Sequence, residues 1–171
     1  MSAPGNIRRL RSGAKDNWRT PRPLFEAIGR RLRIQRFVVD LAADQDNTLC
    51  EQFITAEEDA LRTPWPADTW LWCNPPYSQT KEFVDRAVAE MDFCRSVLLV
   101  PAATDTRWWA DAFASATVTL LLTGRVSFVD PETGKPMSGN TTGSTVFVFG
   151  PLAASLDYGV HIWDWKKDLF H

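Results

Sequence analysis

The sequence has few of the residues that build metal sites and disulfide frameworks. Its 171 residues include two histidines, His161 and His171, and three cysteines, Cys50, Cys73 and Cys94. Their spacings match no metal-binding motif, and an odd number of distant cysteines does not suggest a disulfide framework. We therefore expect no bound metal, and thiols that stay reduced as in a cytosol.

A long hydrophobic run is also missing. No apolar stretch approaches the roughly 20 residues that cross a bilayer. Residues 1–6 do not begin an apolar signal peptide. These absences exclude a membrane partner, and we expect a cytoplasmic protein.

The charge is distributed unevenly along the chain. The net charge is −2, but residues 1–36 hold ten basic and two acidic side chains, so the remainder carries −10. This asymmetry suggests an arm that faces a polyanion, although a solvated polar segment has the same composition. We expect a flexible basic segment over residues 1–16, and a single domain over residues 17–171.

Hydrophobic patterns indicate strands that alternate with helices. Apolar runs predict strands over 37–43, 70–73, 96–100 and 118–122, and amphipathic patterns predict helices after Pro21, over 80–91 and over 106–114. The order predicts an α/β fold with a mostly parallel sheet and a late antiparallel strand.

Two local predictions concern the ends of this pattern. Thr20 is expected to cap the first helix, with Pro21 at the first helical position. Residues 124–129 and 144–149 are expected to pair as strands across a long loop rich in Gly, Pro, Asn and Thr.

The most informative motif is Asn74-Pro75-Pro76-Tyr77, which follows the predicted strand 70–73. Two prolines end a strand because each has a fixed φ and no N–H to donate. The loop therefore presents an amide and a phenol at the carboxyl end of a strand, where open α/β sheets bind ligands. A structural reading, in which Asn74 only caps the next helix, remains open.

This motif suits methyl transfer to a planar exocyclic amine, whose lone pair is delocalised into its ring. Asn74 offers a side-chain oxygen, and Pro75 a backbone carbonyl, to accept hydrogen bonds from the amine. Tyr77 offers a flat face to hold a base that has left the duplex.

Six short motifs occur in an order that resembles the phage-type Dam-like DNA adenine N6-methyltransferases, from about Trp18 to Phe149. They are Trp18-Arg19-Thr20-Pro21, Asp40-Leu41-Ala42-Ala43-Asp44, Glu58-Asp59-Ala60-Leu61, Asn74-Pro75-Pro76-Tyr77-Ser78, Leu99-Val100-Pro101 with Thr104-Asp105-Thr106, and Gly124-Arg125-Val126-Ser127-Phe128. The resemblance implies a Rossmann-like class I methyltransferase fold, a three-layer sandwich, with S-adenosylmethionine as cofactor and DNA as partner.

The resemblance also assigns roles to individual residues. Thr20 and Pro21 are expected to meet the methionine end of the donor, Asp40 its amino group, and Asp59 with Leu61 its adenine. The catalytic residues implied are Asn74, Pro75, Pro76 and Tyr77. The cofactor-binding residues implied are Trp18, Thr20, Pro21, Asp40, Ala42, Asp44, Asp59, Leu61 and Asn74. Arg19, Arg22, Ser78 and Arg125 are expected at the DNA, although Arg125 could instead pair with an acid.

Two departures limit the prediction. The glycine-rich loop of broader adenine methyltransferases is missing after the first strand, and no stretch is long enough for a target-recognition domain. Recognition is then expected from loop 130–143 and the basic N-terminus. Cytosine amines, RNA bases and protein glutamines remain alternative acceptors, and a non-catalytic nucleic-acid-binding module remains an alternative class. A phage or prophage origin is expected, with protection from restriction or regulation as open purposes.

Overall fold

Seven strands form one mixed sheet in the computed structural model, which describes residues 16–137, 140–151 and 158–170. The strands are β1 (Val39–Asp40), β2 (Gln52–Phe53), β3 (Trp70–Cys73), β4 (Arg95–Pro101), β5 (Val118–Leu122), β6 (Ser144–Phe149) and β7 (Gly159–Trp163). Their order in the sheet is β2-β1-β3-β4-β6-β5-β7. Only β6 runs antiparallel to its neighbours among these strands, which confirms the predicted late antiparallel strand.

Helices cover both faces of this sheet. They are α1 (Arg22–Arg31), α2 (Thr80–Ala89) and α3 (Arg107–Ser115), with short 3-10 helices at Tyr77–Gln79 and Lys167–Phe170. Side chains alternate along a strand, so Trp72 packs in one core with α1, and Leu71 packs in the other with α2 and α3. Among the described residues, no helix has the length and hydrophobicity needed to cross a membrane.

The first helix does not begin as predicted. Pro21 is its N-cap residue, and Thr20 makes no capping hydrogen bond. Thr20 is instead buried beside the cavity described below. The predicted flexible segment lies outside the described residues, apart from Asp16.

The predicted pairing of 124–129 with 144–149 is wrong. Strand β6 pairs with β4 on one side and β5 on the other. In segment 124–129, Val126 and Phe128 are buried and their neighbours are more exposed, which mimics a strand. The segment makes only an isolated bridge from Val129 to Arg19, and another to Pro136, within the described part of the chain.

Gly150 follows β6 with φ +108°, a conformation that side chains disfavour. A Cβ there would lie 2.4 Å from the carbonyl oxygen of Cys94. We expect Gly150→Ala to lower the free energy of unfolding by more than the about 1–3 kcal/mol that backbone strain alone costs. Gly134→Ala is the matched control, since Gly134 has φ +65° and no described atom within 4 Å of its added Cβ. Equal losses for both variants in thermal melts would contradict the packing argument.

Candidate active site

A cavity of about 290 Å³ opens at the edge of the sheet where β1 and β3 end. Its walls come from the segments that follow three parallel strands, which lie side by side at this edge. They are residues 41–44 after β1, residues 54–56 after β2, and Asn74 with Pro76 after β3, and Asp40 at the end of β1 also lines the cavity. Residues 16–20, which we call the strap, form a further wall.

Asp40 is the buried acid of this cavity, with 4 % of its surface exposed. Its carboxylate accepts hydrogen bonds from the backbone N–H of Ala42 and of Leu49, both at 3.3 Å. Burial raises the pKa of Asp40 from 3.8 to about 6, which these two hydrogen bonds oppose and nearby Asp44 reinforces. The group is therefore mostly ionised at neutral pH and strongly disposed to meet a cation.

The turn after β1 is built by carboxylates and needs no glycine. The Asp44 carboxylate accepts hydrogen bonds from the backbone N–H of Asp46 and of Asn47, and the backbone N–H of Asp44 donates one to the side-chain oxygen of Asn47. These bonds satisfy the turn's backbone donors, as side chains of this type commonly do. Asp44 itself is exposed at the rim, and Ala42 lines the wall.

Asp59 follows β2 in the chain and lines the cavity. It has φ +54°, its carboxylate accepts from the N–H of Leu61 at 3.0 Å, and it pairs with Arg62 at 3.3 Å. The cavity therefore includes Asp59, but Leu61 and Pro21 do not line it.

The side chain of Asn74 has a defined orientation. Its Nδ2 donates a hydrogen bond of 3.0 Å to the backbone carbonyl of Trp18 in the strap. A carbonyl can only accept, so the amide nitrogen must face Trp18 and the oxygen must face away. Oδ1 is buried and has no hydrogen-bond partner among the described residues, although Asn74 lines the cavity. An acceptor is thus left available beside the ligand space.

Aromatic rings support the rest of the motif. The Trp18 ring meets Tyr77 edge-on, with centroids 5.9 Å apart, and stacks on Phe128 at 5.6 Å. Burial raises the pKa of Tyr77 to about 12, so its phenol stays protonated. Pro75 is buried and Pro76 lines the cavity, whereas Tyr77 lies beside it.

The residues expected at DNA divide into two groups. Arg22, Ser78 and Arg125 are exposed. Arg19 is half-buried in the cavity wall and donates a 3.4 Å hydrogen bond to the carbonyl of Asp46. Arg19 therefore differs from the other three in lying where it can meet a ligand in the cavity.

Sequence reasoning missed part of the wall. Strand β2 is only two residues long, so it gave no periodic signal. Ile54, Thr55 and Ala56 directly after it were therefore given no role, whereas Asp59 further along was predicted. The missed residues include Asp16, Asn17, Asn47, Leu49, Ile54, Thr55, Ala56, Gln79 and Phe83. In the sequence, the turn-forming residues 44–47 indicated that the chain changes direction before β2, but they did not predict the strand itself.

The unpaired polar atoms and the buried acid of the cavity suit a ligand that carries both a positive and a negative group. Thr20 Oγ1, Arg19 Nε and Asn74 Oδ1 are buried without a hydrogen-bond partner in the part of the chain that the structure describes. Asp40 adds a negative charge. No group of three or more His, Cys, Asp and Glu that could hold a metal occurs among residues 16–137, 140–151 and 158–170.

The fold is α/β with a mixed sheet, and the amide of Asn74 has a fixed orientation beside a cavity at the sheet's edge. This combination is typical of enzymes that methylate exocyclic amines. Comparison with known proteins narrows this class. The chain belongs to the DNA N-6-adenine-methyltransferase (Dam) family, whose model matches residues 8–162. The resemblance stated from the motifs is thereby confirmed.

Individual relatives agree with the family. The DNA N-6-adenine-methyltransferase of Escherichia phage T1 is 30 % identical over 154 residues, which cover 81 % of this chain and 64 % of the phage protein. That of Haemophilus phage HP1 is 30 % identical over 142 residues, 81 % of each chain. The putative methyltransferase YfdM of Escherichia coli K12 is 42 % identical over 67 residues, covering 36 % of this chain and 71 % of YfdM. The chain thus spans less than two thirds of the phage T1 relative.

The burial of Asp40 makes a prediction about pH. Its folded pKa of about 6 exceeds the ordinary 3.8, so the folded state binds more protons than the unfolded state between these values. The stability that Asp40 contributes is therefore complete below about pH 4 and is lost as the pH rises through 6. Relative to Asp40→Asn, the wild type should lose up to about 3 kcal/mol over this interval.

Denaturant unfolding of both proteins from pH 4 to pH 7 measures this difference. The comparison uses the change with pH, so a constant offset from altered hydrogen bonds in the variant cancels. A difference that stays constant, or that grows in the opposite direction, would show that Asp40 is not held in a desolvating environment.

Proposed function

We propose that this chain transfers a methyl group from S-adenosylmethionine to the exocyclic amine of a flipped adenine in DNA. Family membership and the names of the two phage relatives support the reaction. The observation that carries it is the amide of Asn74, held by Trp18 through its nitrogen so that its buried oxygen is left as an acceptor. The fold proposed is Rossmann-like, of the class I methyltransferase type, in one domain.

The residues that would hold the donor follow from charge and position. Asp40 is the acid for the donor's ammonium, and Thr20 and Arg19 offer an unpaired hydroxyl and guanidinium nitrogen to its carboxylate. Asp59 and Ala42 lie on walls suited to the nucleoside end. When bound, the donor supplies an electrophilic methyl group on a sulfonium.

The protein's own groups would act on the acceptor amine. Asn74 Oδ1 and the Pro75 carbonyl accept hydrogen bonds from its two N–H groups, which draws density to the nitrogen and stabilises positive charge as the nitrogen becomes tetrahedral. One preorganised group of this kind is typically worth about 3 kcal/mol in the transition state. The Tyr77 ring would stack on the extruded base, and its protonated phenol carries no competing charge.

Target recognition is proposed to use short segments, without a separate domain. Arg22 and Arg125 are exposed and would meet DNA phosphates or base edges, with Ser78 next to the catalytic loop. Two of the three relatives are phage proteins, so we propose action on DNA in the cytoplasm of a bacterial host, with a phage or prophage as the source.

Replacing Asn74 tests the chemistry. Asn74→Ala removes the acceptor, so we expect methyl transfer to fall by a factor of about 100 or more while donor affinity changes little. Gln35→Ala, which removes an exposed amide ahead of β1, is the control. Mass spectrometry of nucleosides from plasmid DNA of expressing cells should detect N6-methyladenine for the wild type and the control. Methylated cytosine, methylation of RNA or protein alone, or undiminished transfer by Asn74→Ala would reject the proposal.

DNA affinity should depend on salt. Contacts to phosphates release counterions, so each lost contact reduces the slope of log affinity against log salt by about 1. Arg22→Ala and Arg125→Ala are expected to lower this slope, whereas Arg36→Ala, which lies ahead of β1 and pairs with Glu51, is not. Fluorescence anisotropy with a short labelled duplex gives the slopes. Unchanged slopes for both test variants would remove these arginines from the DNA interface.

A further inference from the structure

Asp16, in the strap, contacts the end of the catalytic loop across 62 positions of sequence. Its carboxylate Oδ1 accepts a hydrogen bond of 3.0 Å from the backbone N–H of Ser78. Ser78 directly follows Asn74-Pro75-Pro76-Tyr77 in the chain. The contact thus ties the carboxyl end of the motif to the strap, in addition to the local hydrogen bonds from Thr80 Oγ1 to the carbonyls of Pro76 and Tyr77.

The N–H of Ser78 needs such an acceptor. It lies in the 3-10 helix Tyr77–Gln79, which runs directly into α2. The first N–H groups of a helix lack intrahelical partners. Neither Pro76 nor Gln79, the cap residues of these two helices, makes a side-chain capping hydrogen bond. Asp16, from a segment distant in sequence, provides the hydrogen-bond acceptor that an N-cap side chain usually provides. Its negative charge also interacts favourably with the positive end of the helix dipole.

The prolines make this anchor more important. Pro75 and Pro76 have no N–H, so the loop has fewer backbone donors by which neighbouring segments can hold it. The strap therefore holds both ends of the loop by hydrogen bonds. The Trp18 carbonyl accepts one from Asn74, and the Asp16 carboxylate accepts one from Ser78.

We propose that Asp16 is a positioning residue for methyl transfer: it holds Ser78 and so fixes where the loop presents Asn74 to the target amine. The proposal rests on the proposed function. Small displacements of a catalytic group lower turnover steeply, because the reacting atoms must be aligned. Asp16 acts through the loop and does not touch the reacting atoms.

Two substitutions separate positioning from direct contact with a ligand, since Asp16 also lines the cavity. Asp16→Ala removes the acceptor, and we expect kcat to fall about tenfold or more, with donor affinity by calorimetry within about twofold of wild type. Asp16→Asn keeps a side-chain oxygen that can accept from Ser78, so it should recover most of kcat. Asp92→Ala, at an exposed turn remote from the cavity, is the matched control.

Hydrogen exchange adds a readout that does not need turnover. Exchange at the Ser78 amide, followed by mass spectrometry or NMR, should accelerate in Asp16→Ala and stay near wild type in Asp16→Asn and in Asp92→Ala. The melting temperature of each variant identifies any general loss of folding, and in that case Asp16→Asn alone decides.

The outcomes are distinct. Wild-type kcat and unchanged Ser78 exchange in Asp16→Ala would overturn the proposal. An Asp16→Asn variant as impaired as Asp16→Ala, with weakened donor binding in both, would also overturn it, because the charge would then be contacting the donor. If the wild type methylates no adenine, the proposed function fails, while the exchange measurement still tests whether Asp16 holds the loop.

Discussion

The hydrogen bond from Asn74 Nδ2 to the Trp18 carbonyl is the constraint on which the site depends. The Asn74 amide could be turned with either its nitrogen or its oxygen toward Trp18. Because the Trp18 carbonyl can only accept, only the orientation with the nitrogen toward Trp18 forms a hydrogen bond. The bond is 3.0 Å long and connects segments 56 residues apart in sequence. Trp18 is itself held, since its ring stacks on Phe128 and its neighbour Arg19 exchanges two backbone hydrogen bonds with Val129. The orientation of one amide is thus secured by packing that lies outside the motif.

A buried acid in the same cavity, Asp40, adds the second element of the site. Asp40 is costly to bury as an ion, because desolvation outweighs the two backbone hydrogen bonds that it accepts. Groups whose pKa values are shifted by desolvation in a cleft are often functional, since the cost is recovered when an opposite charge binds. The hydrogen bonds that it accepts from the N–H groups of Ala42 and Leu49 also shape the turn after β1, so the acid is part of the local framework as well as of the cavity wall.

Much of this arrangement could be predicted from local chemistry. The prolines Pro75 and Pro76 had to end a strand, and Asp40 had to lie near the carboxyl end of an apolar run, so both reach the same edge of the sheet. The alternating pattern of 124–129 led to a wrong strand prediction. Its buried residues, Val126 and Phe128, pack in the same core as Trp18 and do not join the sheet. Strand β2 is too short to show a period. The contact of Asp16 with Ser78 leaves no local trace, because it joins two segments that only the folded chain brings together.

The strap belongs to the cavity and to the loop at the same time, which has a thermodynamic consequence. Residues 16–20 line the space that a donor would fill, and Asp16 and Trp18 also hold the loop that carries Asn74. A ligand that orders the strap therefore also favours the loop position that the strap supports, and the coupling is reciprocal for binding free energies. Because the strap shares its residues between the cavity and the loop, occupancy of the cavity and the position of Asn74 would be linked through this one segment.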